Sequence, residues 1–159
     1  MSTRANTHAP PSRRNQHSLT PALLLVVALA SACGGADEDY CGSVKEHQAE
    51  LTDVTASGAP SALLDALPIL RDLSTRAPDD ISDEWQVLLD PLERLDEAVR
   101  AADVDPASYD PRHLPAGLTD GERQRIEDAG AALADPAVGA AFDGIQQQAK
   151  DVCHTPLSL

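Results

Sequence analysis

Aromatic residues are almost missing from this 159-residue chain: Tyr40, Trp85, Tyr109 and Phe142 are the only four. That scarcity disfavours a site that stacks on sugars or nucleobases. Lysine is rarer still, with Lys45 and Lys150 alone, and the net charge is −14. A surface so short of cations cannot neutralise phosphates, so no nucleic acid is expected as a partner. The same deficit argues against attachment to an anionic membrane by charge. Close cysteine pairs are absent, which removes the usual signature of a zinc site. There is no serine-nucleophile motif, no glycine-rich phosphate loop and no HExxH, and the many carboxylates single out no acid–base pair. No catalytic residue, metal or cofactor is therefore expected, and the chain does not read as an enzyme.

What is present begins at the N-terminus. Residues 1–20 hold Arg4, Arg13 and Arg14 and no acid, and PALLLVVALASA follows at 21–32. That apolar run is shorter than the ~20 residues of a spanning helix but has the length and flanks of a signal-peptide core. Small residues Ala30, Ser31 and Ala32 precede Cys33. Leu29-Ala30-Ser31-Ala32-Cys33 resembles the lipobox of bacterial lipoproteins, although Ala30 stands where Leu is usual. Ser12-Arg13-Arg14 is followed by Asn15-Gln16-His17 where a twin-arginine signal has apolar residues, which favours the general secretory route. The expectation is a cleaved signal peptide at 1–32 and a lipid on Cys33, whose acyl chains would hold the domain on the membrane. Cleavage would remove three arginines and take the net charge to −17. Residues 33–39, with Gly34, Gly35 and the acidic run after them, read as a flexible tether, and 40–159 as the folded domain.

Three cysteines are an odd number for an exported protein. With Cys33 given to lipid, Cys41 and Cys153 remain, and an oxidising compartment favours a disulfide between them. The rival reading, a metal held by Cys41, His47, Cys153 and His154, lacks the close ligand spacing of zinc sites.

Apolar residues recur at helical spacing across the domain, and no stretch alternates like a strand. The first helix is expected at about 39–55, on the seam Tyr40, Val44, His47, Leu51 and Val54. His47 reads as a boundary residue with no identifiable partner. The second spans about 61–76, with Leu63, Leu67, Leu70 and Leu73 (plus Leu64) inward and a kink or split at Pro68. The third, capped by Asp79, Asp80 or Ser82, carries Ile81, Trp85, Leu88, Leu92, Leu95 and Val99 in steps of four and three, with a kink at Pro91. Its acidic start lacks the loop pattern of a calcium site. Thr119-x-x-Glu122 is a capping-box pattern opening a fourth helix to about 133. Asp135-Pro136 opens a fifth to about 152, with Val138, Phe142, Ile145, Ala149 and Val152 inward and Gln146 and Gln147 outward. Between the third and fourth lies 103–118, DVDPASYDPRHLPAGL, the longest irregular segment. Tyr109, Arg112 and His113 are its candidate recognition residues, against a plainer reading in which Tyr109 and Leu114 pack a stiff connector onto the bundle.

The fold class is all-α: a small up-and-down bundle of four to five helices stapled by the disulfide. Its two cysteines can meet only after an even number of passes. The fourth and fifth helices must then share one pass broken near Asp135-Pro136, or another helix must turn back early. Tyr40-Cys41, Ala77-Pro78-Asp79-Asp80-Ile81 ahead of Trp85, and Ala134-Asp135-Pro136-Ala137-Val138 leading to Cys153 together resemble a family of small exported helical proteins, mostly lipoproteins, of high-GC Gram-positive bacteria. The resemblance covers most of 40–154 and implies fold and location, with no assigned activity. The chain departs from that family's pattern at Gln147-Gln148 and His154. Two functions follow: a non-catalytic interaction module on the outer face of the cell membrane, with a protein or envelope component as partner, or a small-molecule or lipid-binding protein with a cavity between helices.

Overall fold

The computed structural model describes residues 34–159. The expected signal peptide at 1–32 and the lipid site Cys33 lie outside the described residues. Within them the chain is all-helical: α1 Gly34–Ala56, α2 Ala62–Arg76, α3 Ser82–Ala101, α4 Asp120–Ala132 and α5 Pro136–Val152, with 3-10 turns at Asp79–Ile81 and Pro106–Ser108.

α3 is the central element and packs against α2, α4 and α5, while α1 lies on α2 and touches α5. Arg125–Ala132 of α4 face Arg94–Ala101 of α3. Ala137 and Val138 of α5 lie beside Val87 and Pro91, nearer the start of α3. Gly144 comes so close to Glu84 that an added Cβ would stand 3.4 Å from its Cγ. α4 and α5 thus descend the same flank of α3 in succession, one pass broken at Asp135. With four passes the ends meet, and Cys41 and Cys153 are bonded with their Cα atoms 5.0 Å apart.

Local chemistry sets the breaks. Gly58, at φ +59, turns the chain between α1 and α2 in a conformation that side chains resist. α4 opens on a complete capping box, Thr119 and Glu122 each accepting from the other's backbone N–H. At α5, the Asp135 carboxylate accepts from the Ala137 N–H, and Pro136 fills the first helical position. α3 closes with Asp103 at φ 54, the Val104 N–H donating to the Val99 carbonyl and the Asp103 N–H to that of Arg100. That is a Schellman ending, and Val99 and Val104 are both buried beside it.

The interior divides into two clusters. The larger gathers Tyr40, Val44, Leu67, Leu73, Trp85, Leu92 and Ile145, and Leu157 of the C-terminal tail plugs it. The tail is laced to α1: Gln48 Nε2 donates to the Pro156 carbonyl at 2.7 Å, and the Leu159 N–H to Thr52 Oγ1 at 3.0 Å. The smaller cluster, at the other end, holds Leu64, Leu95, Val99, Val104, Tyr109 and Ile126.

Several expectations are corrected. Residues 34–39, read as a flexible tether, belong to α1; their acidic run suits the positive end of a helix better than the glycines suggest. Leu63 and Val152 have the right helical angle but lie in end turns, beyond the side chains that would cover them, and are 51 % and 43 % exposed. Gln146 is half-buried, not outward, and its Oε1 accepts from the Leu157 N–H. Asp79 and Asp80 form no side-chain cap; a 3-10 turn leads into α3 instead, and the Ser82 hydroxyl donates back to the Asp79 carbonyl. Of the two outcomes expected at Pro68, the split does not occur: α2 runs unbroken through Pro68, and α3 through Pro91.

Candidate functional site

The expected recognition group divides. Tyr109 is buried in the smaller cluster, so its ring holds the connector down, while Arg112 and His113 are exposed. Asp110 organises both: its carboxylate accepts the Arg112 N–H at 2.8 Å and the His113 Nδ1–H at 2.8 Å. Those bonds, the His113 one foremost, hold the Asp110 carboxyl below its usual range. The connector is also pinned by Asp105, which accepts from the Ala107 N–H, and by Arg123 donating to the Pro115 carbonyl. The segment is a packed connector, as the plainer reading held, with two polar side chains displayed on it.

Beside it runs an open apolar groove of about 490 Å³, with Leu63, Leu64, Tyr109, Leu114, Ile126 and Leu133 in its lining and Glu127 its one charged wall. It lies between the start of α2, the connector at Tyr109 to Leu114 and the second half of α4, away from the disulfide. The half-exposed Leu63 forms its edge.

A polar network joins α1 to α2. Asp72 Oδ2 accepts from Ser43 Oγ at 3.0 Å and from His47 Nε2 at 3.1 Å, and Oδ1 accepts from Arg76 at 2.9 Å. Arg76 first, then Ser43 and His47, draw the Asp72 carboxyl down to about 2. Serine, histidine and aspartate are together here without a nucleophile relay: Ser43 and His47 share one carboxylate oxygen, and the histidine does not accept the hydroxyl proton. His47 therefore has a partner that sequence reasoning did not identify. Asp72 lies on the next helix, and no local pattern signals the pairing.

The Tyr40 hydroxyl, Trp85 Nε1 and Gln148 Oε1 are buried without a hydrogen-bond partner among the described residues. Burial pushes the Tyr40 hydroxyl up to about 12, and the neighbouring Trp85 N–H opposes that rise without reaching hydrogen-bond geometry. The two sulfurs are consumed by their bond, so the alternative metal set with His47 and His154 does not form. Among the described residues no group of three histidine, cysteine or acidic side chains is placed to hold a metal.

The chain matches no family model, no curated protein and no solved structure.

Proposed function

We propose that this chain is an exported lipoprotein, anchored through Cys33 on the extracytoplasmic face of the cell membrane, and that its bundle is a non-catalytic interaction module. The Cys41–Cys153 bond carries the reading, because structural disulfides belong to oxidising compartments. The segment at 21–33 supplies the export signal and the lipid acceptor, and the family resemblance supports the same location. Among the described residues no helix is long and apolar enough to cross a membrane, so the lipid is the attachment in this reading.

Orientation supports the interaction role. Cys33 precedes α1 directly, and α1 has 23 residues, about 34 Å of helix. The disulfide end then faces the membrane. The connector, Arg112, His113 and the apolar groove stand at the far end, where a partner arrives first.

Intact mass spectrometry of the native protein tests the anchor: the mature chain should begin at Cys33, carry fatty acyl mass and lack two protons for the disulfide. Cys33→Ala should leave the membrane fraction or accumulate uncut; fractionation like wild type refutes the anchor. Leu63→Glu with Arg112→Glu tests the far end without deleting core residues Val104 and Tyr109. Loss of cross-linked partners from intact cells is the expected outcome, and an unchanged cross-link pattern counts against it. The groove's volume also falls in the range of small-ligand sites, which favours lipid binding as the second reading. A fluorescent fatty acid should then bind wild type at one site and lose affinity in Leu63→Glu.

A further inference from the structure

Among the described residues every lysine and all but one arginine stand within a helix. Arg112 is the exception. It lies in the connector between α3 and α4, where Pro111, Arg112 and His113 are all exposed. Buried Tyr109 anchors the chain before them and half-buried Leu114 the chain after. Exposed loop backbone is where proteases nick folded proteins. Their clefts take the chain in extended form, which a helix cannot supply without unwinding. A trypsin-class protease adds one demand, a cationic side chain for its acidic pocket. The residue after the cut must also not be proline, and His113 meets that condition. The nearest rivals, Arg76 and Arg100, sit in the last turns of α2 and α3 and are held in ion pairs with Asp72 and Asp96.

The bond after Arg112 is also held closed. Residues 110–113 fold into a turn. The Asp110 carbonyl accepts the His113 N–H at 3.0 Å, and its carboxylate accepts the Arg112 N–H and the His113 Nδ1–H, each at 2.8 Å. A protease must straighten this turn before it can cut, so Asp110 acts as a latch. The turn is at the surface, where water replaces its hydrogen bonds as they break. The latch therefore opens locally, without unfolding a helix.

We propose that the Arg112–His113 bond is a latched processing site for an exported protease of basic specificity, and that the product is a two-chain bundle. Hydrolysis adds one water: its oxygen goes to the new Arg112 carboxylate and both its protons to the new His113 ammonium. The cut removes no helix. Ile126 keeps α4 in the smaller cluster and Ile145 keeps α5 in the larger, while the Cys41–Cys153 bond joins the pieces covalently. What changes is the apolar groove, whose wall has Pro111 on one side of the bond and Leu114 on the other. Once cut, the two halves of that wall move independently. Access by the protease rests on the export reading, whereas the susceptibility of the bond does not.

Limited trypsin digestion of the full chain in detergent tests the bond, read by reducing and non-reducing gels and by the masses of the pieces. The first new N-terminus should be His113, with two pieces that separate only on reduction. Arg112→Gln should survive several-fold longer, and Asp110→Ala should be cut several-fold faster at the same bond. If Asp110→Ala melts lower than wild type, the double variant with Arg112→Gln decides: it should be as slow as Arg112→Gln alone. A first cut elsewhere, an Arg112→Gln digested like wild type, an Asp110→Ala cut no faster, or a fast double variant overturns the proposal. Protein taken from the host envelope should contain a share already cut before His113 and still disulfide-joined. Native chains that are lipidated yet all uncut overturn the processing and leave the location standing; native chains with neither lipid nor cut sink both.

Discussion

Replacing both bonded cysteines, Cys41→Ser with Cys153→Ser, should destabilise this domain by a large share of its total stability. The bond closes a separation of 112 residues. In the chain-entropy description, a loop of that size restrains the unfolded chain by about 5 kcal/mol. A domain of this size has a total stability of roughly 5–15 kcal/mol, so the loss is a third of it or more. With each kcal/mol worth about 3–4 °C for a chain between 100 and 150 residues, the melting temperature should fall by about 15 °C. Calorimetry of the full chain, oxidised, reduced and doubly substituted, measures it directly, and the reduced and substituted forms should agree. The denaturant slope should also steepen, because an unlinked unfolded chain exposes more surface. A fall of only ~3 °C with an unchanged slope would refute the entropic account, and a reduced wild type much more stable than the substituted protein would place the effect in packing at Cys153.

Tyr40→Phe removes a buried hydroxyl with no protein partner and should hold or raise the melting temperature at neutral pH; a drop of several degrees would mean the hydroxyl is bonded. Because burial holds the folded hydroxyl at about 12 against an ordinary value of 10.0, ionisation above pH 10 favours the unfolded chain, so stability is unaffected below pH 10 and falls as pH rises towards 12. The phenylalanine variant should lack this part of the alkaline loss in a pH-dependent melt. Asp72 behaves oppositely: its carboxyl, ordinarily at 3.8, sits at about 2 in the folded chain, so its contribution is present above pH 4 and lost as pH falls towards 2. Asp72→Asn should flatten acid unfolding over that window, and an unchanged acid profile would detach Asp72 from α1–α2 stability. Asp103→Gly relieves a left-handed residue at the end of α3 and should stabilise by roughly 0.5–1 kcal/mol in chemical denaturation; a loss would show that the aspartate side chain is needed there.

Much of the fold was legible because periodicity is a local property. The four–three steps from Ile81 to Val99 fixed α3, and Thr119, Glu122, Asp135 and Pro136 marked the starts of α4 and α5 by their own chemistry. The even-pass argument from two cysteines narrowed the path to two, α4 and α5 sharing one pass or another helix turning back early, and the packing of α4 and α5 along α3 is the first of these. End turns were misread where angle does not guarantee a neighbour, as at Leu63 and Val152. Asp79 and Asp80 looked like caps because composition does not reveal a 3-10 lead-in. Of the candidate recognition residues, Tyr109 was ambiguous in sequence, since a lone aromatic in a proline-rich segment serves core and surface equally well. The pairing of His47 with Asp72, 25 residues away, and the apolar groove beside the connector depend on which helices become neighbours. Neither is encoded by any one stretch.

The bond between Cys41 and Cys153 turns the intervening backbone into a covalent ring, and this changes how the molecule bears force. A pull on the N-terminal end of α1 enters that ring at one node and divides between two arms, α1 on one side and α5 on the other. α1 cannot be unzipped from α2 turn by turn; both arms must slide together past the plug formed by Leu157 and Tyr40. Cutting one sulfur–sulfur bond would convert a shear-loaded object into a peel-loaded one, with no change in any helix.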